Sequence, residues 1–312
     1  MKVHRSFDTL GQIKNAVVTT GTFDGVHIGH KVIIDRLNTL ARKIKGESVL
    51  ITFHPHPRRV LYPETAGKGL QLINSQEEKI HLLEKTGLDH LVIINFTKEF
   101  AKTTSQEFVE DILLGKLRAK IIIVGFNHHF GHNREGDYAY LYRLTSKYDF
   151  QVEEIPEQDL ENETVSSTII RKALQEGRIQ RANAYLDHFF IITGQLRHGH
   201  PRCHEIGFPT LELMIEEEVK LIPPEGVYAI SLNADKARRY KGMLNIKKFS
   251  DASSMPGIQV HLFDYSPSES LINQSATITF HKRMRDELQL DGAELLKNQL
   301  QKDKAEIEQL IY

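Results

Sequence analysis

The sequence predicts an α/β protein in two parts, an N-terminal doubly wound parallel sheet and a C-terminal small antiparallel β-barrel followed by a terminal helix. Three observations predict it. In the first half, short apolar runs rich in β-formers alternate with longer amphipathic stretches, the pattern of a parallel sheet covered by helices. In the second half, strand-like pieces follow one another with only turn residues between them. The final stretch carries apolar residues at helical spacing, and 312 residues suffice for two cores.

Ala16–Thr20, Ser48–Phe53, His90–Asn95 and Lys120–Val124 read as strands of the first half. Between them His30–Ile44, Gln76–Glu84 and Ser105–Leu114 carry helical spacing, and Thr104 is the expected cap of the last. The rhythm changes after about Ala182. Phe189–Gln195, Gly226–Leu232, Gln259–Asp264 and Ala276–Phe280 read as barrel strands, and Ser250–Gly257 reads as a surface loop. Gly292–Ile311 reads as the closing helix, with Leu295, Leu296, Leu300, Ile307 and Leu310 as its apolar positions. The boundary is expected within Arg181–Phe190, giving domains of residues 1–185 and 186–312.

Forty basic against 41 acidic residues leave a formal charge of -1, so no global field recruits nucleic acid or an anionic membrane. Any polyanion is bound by a local site. The single cysteine, Cys203, excludes an internal disulfide framework and fits a reducing compartment. Met1–Leu10 lacks the apolar core of a signal peptide, and no later run approaches the ~20 residues that span a bilayer. A cytoplasmic protein is expected. Oligomeric state is not legible.

The most informative segment is Val17–His30, which reads Val-Val-Thr-Thr-Gly-Thr-Phe-Asp-Gly-Val-His-Ile-Gly-His, a strand, a glycine-bearing turn and a helix start. Gly21 and Gly25 permit a tight turn and close approach of backbone to phosphate oxygens, and the first N–H groups of the helix favour an anion. His27 and His30 stand three apart, so both imidazoles reach one phosphate and stabilise the charge that builds on it under attack. Phe53, His56 and Pro57 follow the second strand, where two prolines are expected to fix an extended turn at the ligand-binding edge of the sheet. Ser166-Ser-Thr-Ile-Ile-Arg171 opens a helix with hydroxyls and a cation one turn later, a combination suited to a triphosphate.

These motifs, with Gly125-Phe-Asn-His-His-Phe-Gly131, resemble the His-x-Gly-His nucleotidyltransferases. In particular they resemble the FAD synthetase domain of bacterial bifunctional riboflavin kinase/FMN adenylyltransferases, over about the first 185 residues. The resemblance implies AMP transfer from Mg2+-ATP to FMN, giving FAD and pyrophosphate. It implies His27, His30, Asn127 and Arg171 as catalytic, and Gly21, Phe23, Asp24, Gly25, Ser167 and Thr168 as ATP-binding. Phe53, His56 and Pro57 would line the flavin side. His128 stands where the family usually has Phe or Tyr, and altered packing is expected there. A different acceptor, such as a pantetheine phosphate or a nicotinate nucleotide, is the second enzyme reading. A non-catalytic nucleotide or flavin sensor is the reading from another class.

The second half resembles the family's riboflavin kinase module in Ile206-Gly-Phe-Pro-Thr210, Pro224-Glu-Gly-Val-Tyr-Ala229 and Gly242-Met-Leu-Asn-Ile246. Its reactive positions depart from that pattern. The family's asparagine after the threonine is replaced by Glu212, which could still bind Mg2+ but adds negative charge beside ATP. The family's glutamate base is replaced by Gln259, an amide with no useful basicity near neutral pH. Cys203-His204 replaces a Gly-Arg, while Arg285 and Glu287 retain the pattern. The expectation is a barrel with weak or no kinase activity that serves as a flavin- or nucleotide-binding or structural module. A slipped register would instead make Asp251 or Asp264 the base. The histidines His54, His56, His128, His129 and His132, and the group His198, His200, Cys203 and His204, do not follow metal-ligand spacing, so no protein-held metal is expected.

Overall fold

The computed structural model describes residues 1–312 apart from 127, 161–162, 200–206, 218, 235–237, 248–256, 266–270, 289–291 and 312. The chain forms two compact units. One comprises Met1–Leu70 and Lys79–Ser166, the other Gln71–Glu78 and Ser167–Tyr312.

The first unit is a six-stranded, all-parallel sheet of β1 (Lys2–His4), β2 (Val17–Thr20), β3 (Ser48–His54), β4 (His90–Asn95), β5 (Ile121–Gly125) and β6 (Gln151–Ile155), in the order β1-β4-β3-β2-β5-β6. Winding runs outward from β2 through β3 to β4, then restarts on the other side with β5 and β6, so the switch point lies between β2 and β5. The strands read as continuous apolar runs because both faces are covered. Val18, Val49, Ile51, Val92 and Ile122 enter one core with Phe108, Val109, Ile112 and Leu141. Their neighbours Val17, Leu50, Leu91, Ile121 and Ile123 enter the other with Ile34, Leu37 and Leu83.

The helices are α1 (Ile28–Lys43), α2 (Pro57–Leu61), α3 (Gln76–Glu84), α4 (Ser105–Glu107), continued as a π-helix (Phe108–Lys116), and α5 (Tyr138–Leu144). Thr104 caps α4 as expected, in a reciprocal capping box with Glu107. The wider turn of the π-helix was not legible, since its apolar residues keep near-helical spacing. A two-strand ribbon, β7 (Asp159–Leu160) and β8 (Glu163–Thr164), completes the unit.

In the second unit α6 (Ser167–Gln175) and α7 (Ile179–Leu186) precede a closed antiparallel barrel, so helix persists past Ala182 to Leu186. The barrel strands are β9 (Ile191–His198), β10 (Leu211–Met214), β11 (Gly226–Asn233), β12 (Arg239–Lys247), β13 (Gly257–Leu262) and β14 (Ser275–Arg285). Strand β13 begins two residues before the expected Gln259 and ends before Asp264. The expected loop at 250–257 lies outside the described residues except for Gly257. The terminal helix α8 (Ala293–Leu310) brings Ile307 and Leu300 to a cluster with Phe208, Val227 and Met243.

A partly buried ion pair ties α8 down. Arg285 gives Nη2 to Asp303 at 2.6 Å and Nε to both carboxylate oxygens at 3.1 Å. Asp303 is 3% exposed. Asp303→Ala strands the guanidinium and is expected to cost about 3 kcal/mol, read as an earlier unfolding transition of the second unit in urea. No helix among the described residues is long and apolar enough to cross a membrane.

Candidate active site

The N-terminal motif occupies the carboxyl ends of β2 and β5, the edge where open α/β sheets bind ligands. The turn after β2 is unusual. Phe23 (φ 47°), Gly25 (φ 92°) and Val26 (φ 43°) all lie in the left-handed region, and for a β-branched residue such as Val26 that is an outlier. Strain of roughly 1–3 kcal/mol per residue persists only where the surroundings over-determine it. Gly21 has a different purpose from the expected turn flexibility, because a Cβ there would stand 3.0 Å from the Phe23 ring.

His27 is the cap residue of α1, with extended backbone (φ -71°, ψ 175°) and no side-chain capping bond. Helix α1 therefore begins two residues before the expected His30, and the histidine pair is formed by one cap and one helical residue. The rings still meet, stacked at 3.6 Å between centroids and 22° between planes. Gly29 makes room for this, since a Cβ there would lie 3.3 Å from the His27 ring. No acidic residue occupies the first turn of α1, which leaves its N-terminal dipole for an external anion.

Phe23 packs on His30 at 4.6 Å. Burial, then the neighbouring His27 and Lys79, hold the His30 imidazole well below its ordinary range. His30 Nδ1 and Thr20 Oγ1 are buried with no hydrogen-bond partner. Such orphans are rare in folded proteins and here collect at the switch point, where a polar ligand would satisfy them. Asp24, 1% exposed, lies in the same turn.

After β5 the loop is fixed by Gly131 (φ 75°), whose Cβ would fall 2.3 Å from Ser105 Oγ. Asn127 lies outside the described residues. His128 stacks toward Phe130 at 6.2 Å with its Nε2 buried and unpartnered, so the substitution goes beyond altered packing. Burial, then His129 and Arg134, lower its pKa to about 4. The folded state thus binds fewer protons than the unfolded chain between pH 4 and 6.5, and stability falls as pH drops through that window. His128→Phe is expected to flatten that loss, measured as urea midpoints from pH 7 to pH 4.

Beyond β3, Pro57 is the first residue of α2 and His56 its cap, its Nδ1 accepting from Arg58 N at 3.2 Å. The two prolines therefore give a cis His54–Pro55 bond and a helix start in place of an extended turn. Phe53 belongs to an aromatic trio with Phe96 and Phe100, at 5.5 and 6.1 Å, which the sequence reading missed.

In the second unit Ser167 and Thr168 open α6, and Arg171 one turn on gives its Nε to the Gln71 carbonyl at 3.0 Å. The barrel's strand register brings the kinase-like positions together. Glu212 lies opposite Gln259, and Gln259 lies opposite Asn245 on its other side. His261 Nδ1 donates to the Pro209 carbonyl at 2.8 Å, holding the Phe208-Pro209-Thr210 segment on β13. Thr210 Oγ1 and Asn245 Oδ1 are buried without partners. Arg285 is committed to Asp303, as described above. Among the described residues no three His, Cys, Asp or Glu side chains form a group able to hold a metal ion.

A family profile described as FAD synthetase matches residues 11–169, and one described as riboflavin kinase matches residues 186–311. A bifunctional riboflavin kinase/FMN adenylyltransferase of Bacillus subtilis is 31% identical over 300 residues, 93% of this chain and 91% of that protein. The chain belongs to the bifunctional riboflavin kinase/FMN adenylyltransferase family. Relatives of the same description from Buchnera aphidicola of Acyrthosiphon pisum (31% over 307 residues, 97% of this chain and 96% of that protein) and Escherichia coli K12 (30% over 306 residues, 97% and 96%) span nearly all of it. A crystal structure titled a macrolide-efflux protein from Streptococcus pneumoniae shares the fold with a TM-score of 0.87 at 26% identity, covering 98% of each chain.

Within this bifunctional riboflavin kinase/FMN adenylyltransferase family, the observed register bears on the barrel's base. Gln259 sits in the polar row with Glu212 and Asn245, whereas Asp264 lies in the turn beyond β13 with φ 47°. Asp251 lies outside the described residues.

Proposed function

We propose that the first 185 residues transfer AMP from Mg2+-ATP to FMN, giving FAD and pyrophosphate, and that residues 186–312 phosphorylate riboflavin weakly or not at all. The observation that carries the first half is the stacked His27–His30 pair at the open N-terminus of α1, on the switch-point edge. An oxygen of the FMN phosphate attacks the α-phosphorus of ATP, the bond to the β-phosphate oxygen breaks, and pyrophosphate leaves. His27 and His30 donate hydrogen bonds to the α-phosphate as charge builds there, and the α1 N–H groups add to them. The family resemblance assigns Asn127, Ser167, Thr168 and Arg171 to the phosphates of ATP. Phe53, His56 and Pro57 face the flavin. The Mg2+ that ATP carries neutralises phosphate charge.

The weak kinase rests on Gln259, which offers an amide where a base is needed, and on Glu212, whose charge opposes a nucleotide phosphate. Riboflavin and ATP remain candidate ligands of the barrel's unpartnered Thr210 and Asn245 groups. A single cysteine and a near-neutral charge suit a cytoplasmic enzyme of small molecules. The reaction class is tested with ATP labelled in turn at the α- and γ-phosphates. The α-label should appear in FAD and the γ-label in pyrophosphate. Release of γ-label as inorganic phosphate, with no labelled FAD, would refute adenylyl transfer.

A further inference from the structure

Lys79 is a buried cation that none of the motifs contains. It is 5% exposed, on α3, and its Nζ donates to the Thr22 carbonyl at 2.9 Å. The same carbonyl accepts from the Thr52 hydroxyl at 3.1 Å, and Thr52 is fully buried on β3. Thr22 thus has its oxygen gripped from two elements at the start of the turn whose Phe23, Gly25 and Val26 are left-handed. That turn leads directly into His27, and its Phe23 ring packs on His30. Its charge is felt at His30.

We infer that Lys79 is a positioning residue for adenylyl transfer: with Thr52 it clamps the Thr22 carbonyl, fixes the turn that presents His27 and His30, and places its ammonium where His30 feels it. Tertiary placement makes it so, because a lysine in Gln76-Glu-Glu-Lys79 reads on sequence as part of a solvated helix face. An ammonium fits the task. It is a compact charge with several donors, so it can grip the Thr22 carbonyl and keep donors for its other neighbours. The proposal rests on the adenylyl-transfer reading of this site.

The test compares Lys79→Met, Lys79→Arg and Thr52→Val in the full chain. Each is assayed for FAD formation from FMN and Mg2+-ATP, with His30 followed by imidazole NMR titration. Lys79→Met should lower kcat by tenfold or more while KM for ATP changes by less, and the His30 midpoint should rise because a neighbouring cation is gone. Lys79→Arg should restore most of the His30 depression. Thr52→Val should lower kcat by a smaller factor and leave the His30 midpoint in place. A Lys79→Met protein with wild-type kcat would overturn the proposal, as would an unmoved His30 midpoint. If Lys79→Met does not fold, Lys79→Arg and Thr52→Val decide, with unchanged kcat in both counting against the clamp. Absence of FAD from the wild-type chain would sink the adenylyl-transfer reading itself, and the His30 titration would then judge Lys79 alone.

Discussion

Replacing His30 by Ala is expected to lower kcat for FAD formation by about 10²–10³-fold, the usual loss when one donor to a developing oxyanion is removed. The effect should fall on kcat far more than on ATP binding, because the imidazole meets charge that exists mainly in the transition state. The geometry supports a separation of roles. His30 is half-buried against Phe23 and His27 with a buried, unpartnered Nδ1, so removing its ring is expected to eliminate a donor available to a ligand more than a contact that holds the fold. Steady-state kinetics with ATP varied at saturating FMN, beside equilibrium ATP binding, makes the comparison. A loss confined to KM would mean that the pair binds nucleotide without assisting transfer. A loss of both in proportion would point to a damaged site.

Replacing Lys220 by Met is expected to destabilise the second unit by about 3–5 kcal/mol, the cost of stranding a buried charge. Lys220 Nζ lies 2.6 Å from Glu78, 2.5 Å from the Ile73 carbonyl and 2.7 Å from the Ile191 carbonyl, and both side chains of the pair are fully buried. Glu78 in turn accepts from Ser75 N at 2.9 Å and Thr193 N at 2.8 Å. One ammonium and one carboxylate therefore knit the segment 71–78 to the start of the barrel. Methionine fills the volume and satisfies none of these acceptors. Urea unfolding of the full chain should show the transition of the second unit moving to lower denaturant, with Lys220→Arg milder than Lys220→Met. An unmoved transition would mean that water or rearrangement supplies the missing partner.

The parts of this protein that were legible in sequence are those whose meaning is local. Two histidines three apart behind a glycine-bearing turn announce a pair of rings that meet, and Thr104 announces a helix start. Alternating apolar runs gave the parallel sheet because each strand feeds two cores. What was not legible depends on partners distant along the chain. Lys79 meets Thr22, Glu78 meets Lys220, and Asp303 meets Arg285, and in each case the charged residue sits in a stretch that reads as solvated helix or strand end. Gly21 reads in sequence as backbone freedom, yet it and Gly29 are small because a ring needs the space. The edge strand β1 was missed because three residues carry no periodicity. The register places Gln259 between Glu212 and Asn245, a juxtaposition that only pairing of three strands creates.

The most direct test of the account is to incubate the purified full chain with Mg2+-ATP and either FMN or riboflavin and to separate the flavins by chromatography. The account predicts FAD from FMN and little or no FMN or FAD from riboflavin. Rapid conversion of riboflavin to FMN and on to FAD would contradict the weak kinase, and no FAD from FMN would contradict the adenylyltransferase.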